Sequence, residues 1–542
     1  MSAESSGPPA PALRRAQPSL GRSAAVMAVG TTLSRVTGLG RLVALAYALG
    51  VTESRLADSY NIANTMPNVI YELILGGVLT SVFVPVVVAE LRSRSSDDAW
   101  ESVSSLVTAS ITLLLVLTAV SVVAAPWIIR LFTFRLSGTE AAEQQALATF
   151  FLRFFAPQIA FYGMAAIAGG LLNAHDRFAV PMFAPILNNL VAIATFVAFA
   201  AVVSGTPTGT SVGNRLSERL LLALGTTGGV AAMALAHWPS VRRLPGRLRA
   251  RFDFRHPAVR RLARLSGWTL GYVVANQIGF SIALVLANGV QGGPTAFFVA
   301  FAFFQLPYGI AAVSIMTALV PRMAAQAVDG DDDGFRDSLA TGIRFMGVLL
   351  IPATAAYLVL SRPLITTLLE HGVMESRSTS LVAGVLDMLT IGLLPFAVFL
   401  LFMRAFYARQ DTRTPMMVNI VANVAFVGSA VALFPTLEVR GIGLAHTASY
   451  VVGAVVAGVA LSRKVGAVPR SAILVQLAKV ALASAVAAAA MVLVVNAIST
   501  GRGREVAQLL VGGTVGLVAF LAAAWALRVE ELTALRRLLP GR

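Results

Sequence analysis

Long apolar runs dominate this chain, and short polar segments separate them. Most of the runs are long enough to form a membrane-spanning α-helix, which needs about 20 residues to cross the hydrocarbon core of a bilayer. We predict fourteen such helices, and the fold class is therefore an all-α polytopic membrane protein. The predicted spans are 24–50, 60–90, 103–132, 147–172, 179–203, 216–238, 262–289, 295–320, 338–360, 381–406, 416–434, 441–462, 472–497 and 506–528.

Positive charge is distributed unevenly between alternate connecting segments. If the N-terminus lies in the cytoplasm, the inside segments hold 27 lysines and arginines and the outside segments hold 10. Cytoplasmic loops of membrane proteins carry this excess, so we predict that both termini are cytoplasmic. The net charge of +16 then reflects topology and not nucleic-acid binding, because it lies in short loops of a chain that is 57% hydrophobic.

An internal repeat with an offset of 234 residues relates two halves of the chain. The segment LLNAHDRFAVPMFAPILNN, from residue 171, matches AFYARQDTRTPMMVNIVAN, from residue 405. Six predicted spans separate the matched points, so the halves have the same orientation, as in some two-lobed transporters. We predict a disordered cytoplasmic tail, two six-helix lobes with a basic cytoplasmic linker between them, two extra helices and a second cytoplasmic tail. In chain order these segments are 1–23, 24–238, 239–261, 262–463, 464–530 and 531–542.

The first span contains two arginines, Arg35 and Arg41, in an otherwise apolar helix. A charge at that depth normally faces a bundle interior or a water-filled cavity. The two side chains begin roughly 9 Å apart along the axis and share one broad face with Ser34. Both guanidinium groups could then converge on one anion, since arginine binds phosphate oxygens in bidentate fashion. The alternative for Arg41 is that it lies near one end and extends to the headgroups.

The second span carries a polar stripe. Asn61, Asn64 and Asn68 follow one another at helical spacing, and Pro67 interrupts the helix beside the last of them. A proline there frees carbonyl groups, which suits the wall of a cavity or a gate. The alternative is that the asparagines hold neighbouring helices together. Glu72, farther along the same span, is expected to pair with an arginine across the cavity.

The sequence lacks the groups that covalent chemistry requires. It has no cysteine, its five histidines are scattered, and no phosphate-binding glycine loop of the Walker type is present. We therefore predict a protein that is neither an enzyme nor an ATP-driven pump. No resident cofactor is expected, and the membrane potential or a gradient of sodium or protons would supply the energy. The basic linker is expected to contact anionic lipid headgroups and not substrate.

Three motifs resemble the N-terminal signature of the MurJ/MviN family, namely SRVTGLGR, ADSYNIANTMPN and LTSVFVPV. The resemblance covers most of residues 24–530 and is closest to the actinobacterial branch. Members of this family are lipid II flippases of the multidrug/oligosaccharidyl-lipid/polysaccharide exporter superfamily. The resemblance implies that lipid II, the undecaprenyl-pyrophosphate-linked muropeptide, is moved across the bacterial cytoplasmic membrane. Membrane lipids and cell-wall synthesis or division proteins are the other implied partners, and nucleic acid is not.

The resemblance also bears on individual residues. An acid is usual in the family where this chain has Asp58. The predicted substrate-binding residues are Ser34, Arg35, Arg41, Asp58, Asn61, Asn64, Asn68 and Glu72. Some relatives bind sodium between spans seven, eleven and twelve, which implies a cation site at Asn276, Asn419 and Asn423, although the acids of such a site are absent here. Relatives also carry arginines in spans two and eight, where this chain has Tyr71–Glu72 and Ala302.

Other functions remain open at this point. A flippase for a different polyprenyl-linked glycan, or a drug/cation antiporter, would use the same helical architecture. A non-transporting scaffold that recruits cell-wall synthesis proteins is the alternative from a different class. Replacement of Arg35 and Arg41 separates these alternatives, because a scaffold would keep its activity and a pyrophosphate carrier would not.

Overall fold

The computed structural model describes residues 20–73, 87–90, 96–203, 205–260, 267–468, 470–501 and 503–532. The motif LTSVFVPV, most of the predicted N-terminal tail and most of the predicted C-terminal tail lie outside these residues. The boundaries assigned to the lobes, the linker and the tails stay predictions.

Seven helices form the first half of the described chain. They are α1 (Leu20–Leu49), α2 (Leu56–Tyr71), α3 (Ser96–Thr133), α4 (Gly138–Phe155), α5 (Gln158–Asn173), α6 (Ala179–Val202) and α7 (Leu216–Leu235). Two short helices, Gly209–Gly213 and Trp238–Val241, flank α7. The basic linker follows the second of these short helices.

Nine helices and one π-helical turn form the second half. They are α8 (Gly267–Ala287), α9 (Gly293–Pro307), the π-turn (Tyr308–Ala312), α10 (Val313–Asp329), α11 (Asp332–Leu369), α12 (Ser376–Thr390), α13 (Leu393–Ala408), α14 (Arg413–Val465), α15 (Arg470–Ala497) and α16 (Arg504–Ala526). The range given for α14 contains two consecutive helices, because the backbone of Glu438, at φ 50°, is non-helical and interrupts it. The interruption separates the predicted spans 416–434 and 441–462.

All fourteen predicted spans fall on helices, at least in part. Within the described residues, nine helices are long and apolar enough to cross a membrane, or ten if the bent pair of α12 and α13 is one span. This count is lower than the fourteen predicted spans for two reasons. Helix α14 is counted once although it covers two predicted spans, and the second and seventh predicted spans run into residues that are not described. Helix α1 is outside the count and carries two arginines. The all-α membrane fold is confirmed, and the number fourteen stays a prediction.

The two halves repeat the same helix contacts. Helix α1 packs on α6 as α8 packs on α14, and α2 packs on α4 as α9 packs on α12. Helix α3 contacts α4 and α5, and α11 contacts α12 and α13 in the same way. The repeated sequence therefore folds into two parallel lobes, the N-lobe and the C-lobe. Helices α15 and α16 pack on each other and against α11, outside this repeat.

The matched turns of the repeat share their backbone. Asp176 has φ 57° and Gln410 has φ 59°, which are left-handed conformations that few non-glycine residues adopt. The next residue in each turn donates its N–H to the carbonyl five positions earlier. The hydrogen bond from Arg177 to the Leu172 carbonyl is 2.9 Å long, and that from Asp411 to the Phe406 carbonyl is 3.0 Å long. The offset of 234 residues found in the sequence thus separates two copies of the same backbone turn.

The C-lobe copy of this turn is also held by charge. Asp411 forms an ion pair with Lys464 and accepts the backbone N–H groups of Arg413 and Thr414 at 3.1 and 3.0 Å. Partial burial raises the pKa of Asp411, but the hydrogen bonds from Lys464 and Thr414 outweigh burial and lower the pKa to about 2. The carboxylate therefore fixes the start of α14 at any pH near neutrality.

Candidate functional site

A cavity of about 390 Å³ lies between the two lobes, and we call it the central cavity. Helices α1, α2 and α6 form its N-lobe wall, and α9 forms its C-lobe wall. Its lining residues are Ser34, Arg35, Gly38, Leu39, Arg41, Leu42, Leu45, Asn61, Asn64, Thr65, Asn189, Phe298, Phe301, Ala302, Gln305 and Leu306. The predicted residues Ser34, Arg35, Arg41, Asn61 and Asn64 are thus brought together in one place.

Both arginines of the central cavity have no anionic partner among the described residues. No carboxylate of the described chain lies within 4 Å of Arg35 or Arg41. Arg41 is half-buried and Arg35 is exposed at the cavity. Unpaired cations within a membrane helix are costly and indicate a binding site for an anion. The arrangement therefore supports the cavity interpretation of Arg41 over its extension to the headgroups.

Arg35 reaches from the N-lobe to the C-lobe. Its guanidinium group lies beside Gly309 in the π-turn, where an added Cβ would come 3.4 Å from Arg35 Cζ and 3.5 Å from Nη2. Turns of π-helix occur often at functional sites. The absence of a side chain at Gly309 allows the cation to lie directly over the backbone of the C-lobe.

The π-turn follows a proline that leaves one carbonyl without its helical donor. Pro307 has no N–H, so the carbonyl of Phe303 loses the hydrogen bond that a helix would give it. The hydroxyl of Tyr357, on α11, donates to this carbonyl at 2.9 Å. Tyr357 therefore ties the end of α9 to α11 at the level where Arg35 crosses between the lobes.

Asn189 is a cavity residue that the sequence analysis did not identify. Its Nδ2 donates to the Ser34 carbonyl at 3.2 Å and to Thr37 Oγ1 at 3.1 Å, so it fixes α1 beside the arginines. The C-lobe repeats this contact, since Asn423 donates from α14 to Asn276 Oδ1 on α8 at 3.0 Å. The signal was in the repeat, because positions 189 and 423 differ by the same 234 residues.

Asp58 does not line the central cavity. Its carboxylate is fully buried at the N-terminus of α9, where it accepts the N–H of Gly292 at 2.7 Å and that of Thr295 at 3.2 Å. The hydroxyl of Thr295 donates to it at 2.8 Å and receives a hydrogen bond from Asn61 at 3.1 Å. The negative charge is stabilised by the free N–H groups and the dipole of a helix N-terminus. Asp58 thus joins α2 of the N-lobe to α9 of the C-lobe.

The loop between α1 and α2 extends this contact between the lobes. Thr52 donates its N–H to Ser378 Oγ at 2.9 Å, and its carbonyl accepts from Gln291 Nε2 at 2.9 Å. Glu53 Oε1 accepts the N–H of Glu375 and the hydroxyl of Ser378, both at 2.7 Å. We call these contacts, together with those of Asp58, the lobe latch. The lobe latch closes the end of the central cavity at which α1 ends and α2 begins.

Two other predicted residues also lie away from the cavity lining. Asn68 is exposed, and Glu72 is half-buried just beyond the end of α2. The expected pairing of Glu72 with an arginine does not occur within the described residues, none of whose basic groups lies within 4 Å of it. Their assignment to the substrate site stays a prediction.

A second, smaller cavity of about 230 Å³ lies within the C-lobe. It brings together the three predicted cation-site residues, Asn276, Asn419 and Asn423, beside His446. The fit to sodium is poor, because Asn423 directs its N–H groups at Asn276 Oδ1 and at the Asn419 carbonyl, at 3.0 and 2.9 Å. A hard cation requires those oxygens and favours carboxylates. Among the described residues, no group of three or more acidic, histidine or cysteine side chains could hold a metal ion.

Two parallel lobes with a cavity between them, lined by two arginines that have no ion-pair partner among the described residues, are the architecture of a membrane transporter. Two solved structures share this fold. The "Lipid II flippase MurJ, inward closed conformation" aligns with a TM-score of 0.75 at 21% identity, over 92% of this chain and 98% of that chain. An "Inward-facing conformation of a multidrug resistance MATE family transporter of the MOP superfamily" aligns with a TM-score of 0.65 at 14% identity, over 83% and 98%. At these identities the likeness establishes the fold alone.

The sequence comparisons specify the family. The family model "Lipid II flippase MurJ" matches residues 45–510, and the chain belongs to this family. It is 30% identical to the "Probable lipid II flippase MurJ" of Rhizobium meliloti, over 77% of this chain and 76% of the relative. It is 29% identical to the "Lipid II flippase MurJ" of Burkholderia cenocepacia, over 72% and 73%. Members of this family are transporters and not enzymes. Arg35 and Arg41 lie just before the matched range.

Proposed function

We propose that the chain moves lipid II from the inner to the outer leaflet of the bacterial cytoplasmic membrane. The single observation that carries this proposal is that Arg35 and Arg41 line a cavity between two lobes and have no ion-pair partner in the described part of the chain. Two guanidinium groups match a pyrophosphate in charge and in hydrogen-bond geometry. Membership of the lipid II flippase family supports the same substrate.

The mechanism we propose requires no covalent step. Arg35 and Arg41 bind the pyrophosphate, while Asn61, Asn64 and Asn189 offer amide groups to the sugars next to it. The lobe latch then breaks, and the lobes rock so that the opposite end of the cavity closes. The excess of positive charge in alternate loops places both termini in the cytoplasm in this proposal. The lobe latch, at the opposite end of α1, is then the outer gate. The membrane potential or a gradient of sodium or protons supplies the energy.

The lining of the central cavity opposes the antiporter alternative. Two guanidinium groups and no carboxylate line it among the described residues. An organic cation would be repelled by this charge, whereas an anion would be attracted. A flippase for another polyprenyl-linked glycan would share the pyrophosphate, so only the saccharide distinguishes it from the proposed substrate.

The test is exposure of lipid II on the outer face of cells that are depleted of their own flippase and supplied with this chain. We expect exposure and growth to be restored by the unchanged protein, to fall at least tenfold with Arg35→Gln plus Arg41→Gln, and to recover in part with lysine at both positions. Arg153→Gln is the control, because it removes one exposed arginine of α4 that lies outside the cavity lining and should leave exposure unchanged.

The possible outcomes separate the proposed functions. If the double glutamine variant inserts normally and restores full exposure, the arginines do not carry the substrate. If the correctly inserted and abundant protein restores neither exposure nor growth, and no other polyprenyl-linked glycan appears outside, the scaffold is correct. If it restores neither, while an unrelated polyprenyl-linked glycan appears outside, the substrate is that glycan.

A further inference from the structure

The basic linker is ordered against α3. Gly246 packs on the indole of Trp100, where an added Cβ would come within 2.1 Å of the ring carbons. The N–H of Arg249 donates to Ser104 Oγ at 3.2 Å, and the N–H of Arg251 donates to Thr108 Oγ1 at 3.0 Å. We call residues 246–254 the linker strap.

The linker strap runs parallel to α3, toward the apolar part of that helix. Its contacts fall on residues 100, 104 and 108, which are successive turns. Two residues of extended chain span roughly 6.6 Å and four residues of helix span roughly 6 Å, so the two N–H donors match the two hydroxyls. The apolar part of α3 begins near Leu106. Arg251 therefore lies beside the start of the apolar part of α3.

The strap ends over the lipid-facing side of α3. At 3.6 residues per turn, Leu115 and Ala119 each lie within about 20° of Thr108 around the helix. Leu115 is 55% exposed in the middle of the apolar segment, so this side faces lipid. Directly after Arg251 come Phe252 and Phe254, which are 70% and 51% exposed with ring centroids 6.4 Å apart. Two exposed phenylalanines at this level suit the boundary between headgroups and acyl chains.

Exposed positive charge surrounds the strap. Seven arginines of the described linker are exposed, namely Arg242, Arg243, Arg247, Arg249, Arg251, Arg255 and Arg260. Arg247, Arg249 and Arg251 also line a cavity of about 490 Å³ against α3, together with Asp97 and Glu101. Glu101 forms an ion pair with Arg251, and no ion pair of Arg247 or Arg249 is found within the described chain. Those two arginines therefore remain available to an external anion.

We propose that the linker strap is a binding site for the headgroup of an anionic phospholipid in the cytoplasmic leaflet. Arg247 and Arg249 hold the phosphate, and Phe252 and Phe254 enter the bilayer boundary beside it. A soluble anion would use the arginines but would leave the phenylalanine pair without a role. The site is distinct from the central cavity. It rests on the proposed orientation of the chain and does not depend on the transport of lipid II.

The test uses the full chain, which contains no cysteine. Ala250→Cys introduces a thiol at an exposed strap position, to which a nitroxide is attached. The protein is placed in nanodiscs of phosphatidylcholine with increasing phosphatidylglycerol. Accessibility of the nitroxide to oxygen and to a water-soluble nickel chelate is then measured. We expect phosphatidylglycerol to shield the label from the chelate, and Arg247→Gln plus Arg249→Gln to weaken this response by about 30-fold in apparent affinity.

Matched variants isolate the site. Arg413→Gln plus Arg463→Gln removes two exposed arginines on the same side of the protein and should leave the response unchanged. Phe252→Ser plus Phe254→Ser should reduce oxygen accessibility even when the arginines are present. An equal response in the two arginine variants, or no dependence on phosphatidylglycerol, would overturn the proposal. The same holds if soluble pyrophosphate reproduces the response in nanodiscs of phosphatidylcholine alone.

The same cysteine tests the orientation. A membrane-impermeant maleimide should not label Ala250→Cys in intact spheroplasts and should label it after lysis. Labelling of intact spheroplasts would place the strap outside and overturn both this proposal and the proposed topology. Loss of the lipid response with correct sidedness would overturn the strap proposal alone.

Discussion

Replacement of Asp58 by asparagine should open the lobe latch. The carboxylate accepts three hydrogen bonds at the start of α9, from the N–H of Gly292 and from the N–H and hydroxyl of Thr295. Asparagine is nearly the same size, but its single oxygen serves only part of this set, and its NH2 group must face an N–H. Hydrogen bonds to a charged group contribute about 1.5–3 kcal/mol, against about 0.5–1.5 for neutral groups.

The expected cost to the latched state is about 2–4 kcal/mol, since one bond is lost and the others lose their charge. The helix N-terminus adds about 0.3–1 kcal/mol that is also lost. In the unlatched state the side chain at position 58 is hydrated, so the substitution costs little there. The equilibrium should therefore shift toward separated lobes by about 50-fold to about 5000-fold.

Distances between spin labels would report this shift. Thr139→Cys on α4 and Ser376→Cys on α12 place exposed thiols on opposite lobes near the latch, in a chain without cysteines. Pulsed electron resonance should give one short distance for the unchanged latch and a second, longer population for Asp58→Asn. If the distribution is unchanged for Asp58→Asn but broadens for Ser378→Ala, the loop holds the lobes together and the reasoning about Asp58 is wrong.

Three further substitutions test other parts of the structure. Gly309→Val should displace the Arg35 guanidinium and weaken lipid II binding at least tenfold by native mass spectrometry, whereas Gly309→Ala should have a small effect because its Cβ lies 3.4 Å from Cζ. Tyr357→Phe should destabilise the protein by about 1 kcal/mol in thermal unfolding, because a buried carbonyl loses its donor. Asp411→Asn should remove at most about 1 kcal/mol of stability near neutral pH. The depressed pKa of Asp411 stabilises the fold above pH 3.8, and this contribution is lost as the pH falls to about 2, so melting curves of the two proteins should converge there.

The repeated architecture could be predicted from the sequence because the repeat includes unusual backbone. An alanine seven positions before a proline, with charged residues between them, marks the turn at Asp176 and again at Gln410. Hydrophobic periodicity did not reveal that the fourth span is two helices, α4 and α5. The apolar pattern continues across Ala156–Pro157, and the two helices together form one candidate span, Gly138–Asn173.

Only those residues of the candidate site that share a helix with another site residue were predicted correctly to lie in the cavity. Arg35, Arg41, Asn61 and Asn64 share the central cavity because each pair lies on one face of one helix. The position of Asp58 could not be predicted in this way. Its partners lie 234 and 237 residues away in the other lobe, so only the packing of the lobes reveals that it caps a helix.

Among the described residues that line the central cavity, both positive charges belong to α1. Without substrate, the N-lobe presents two uncompensated charges to the transmembrane electric field, whereas a bound pyrophosphate neutralises them. A potential that is negative inside acts on each moving charge with about 2.3 kcal/mol per 100 mV for passage through the whole field. The loaded carrier would therefore change state with little electrical work, and the empty carrier would be pulled back toward the cytoplasm. In such a cycle the voltage would drive the return of the empty flippase and would do little work on the loaded one.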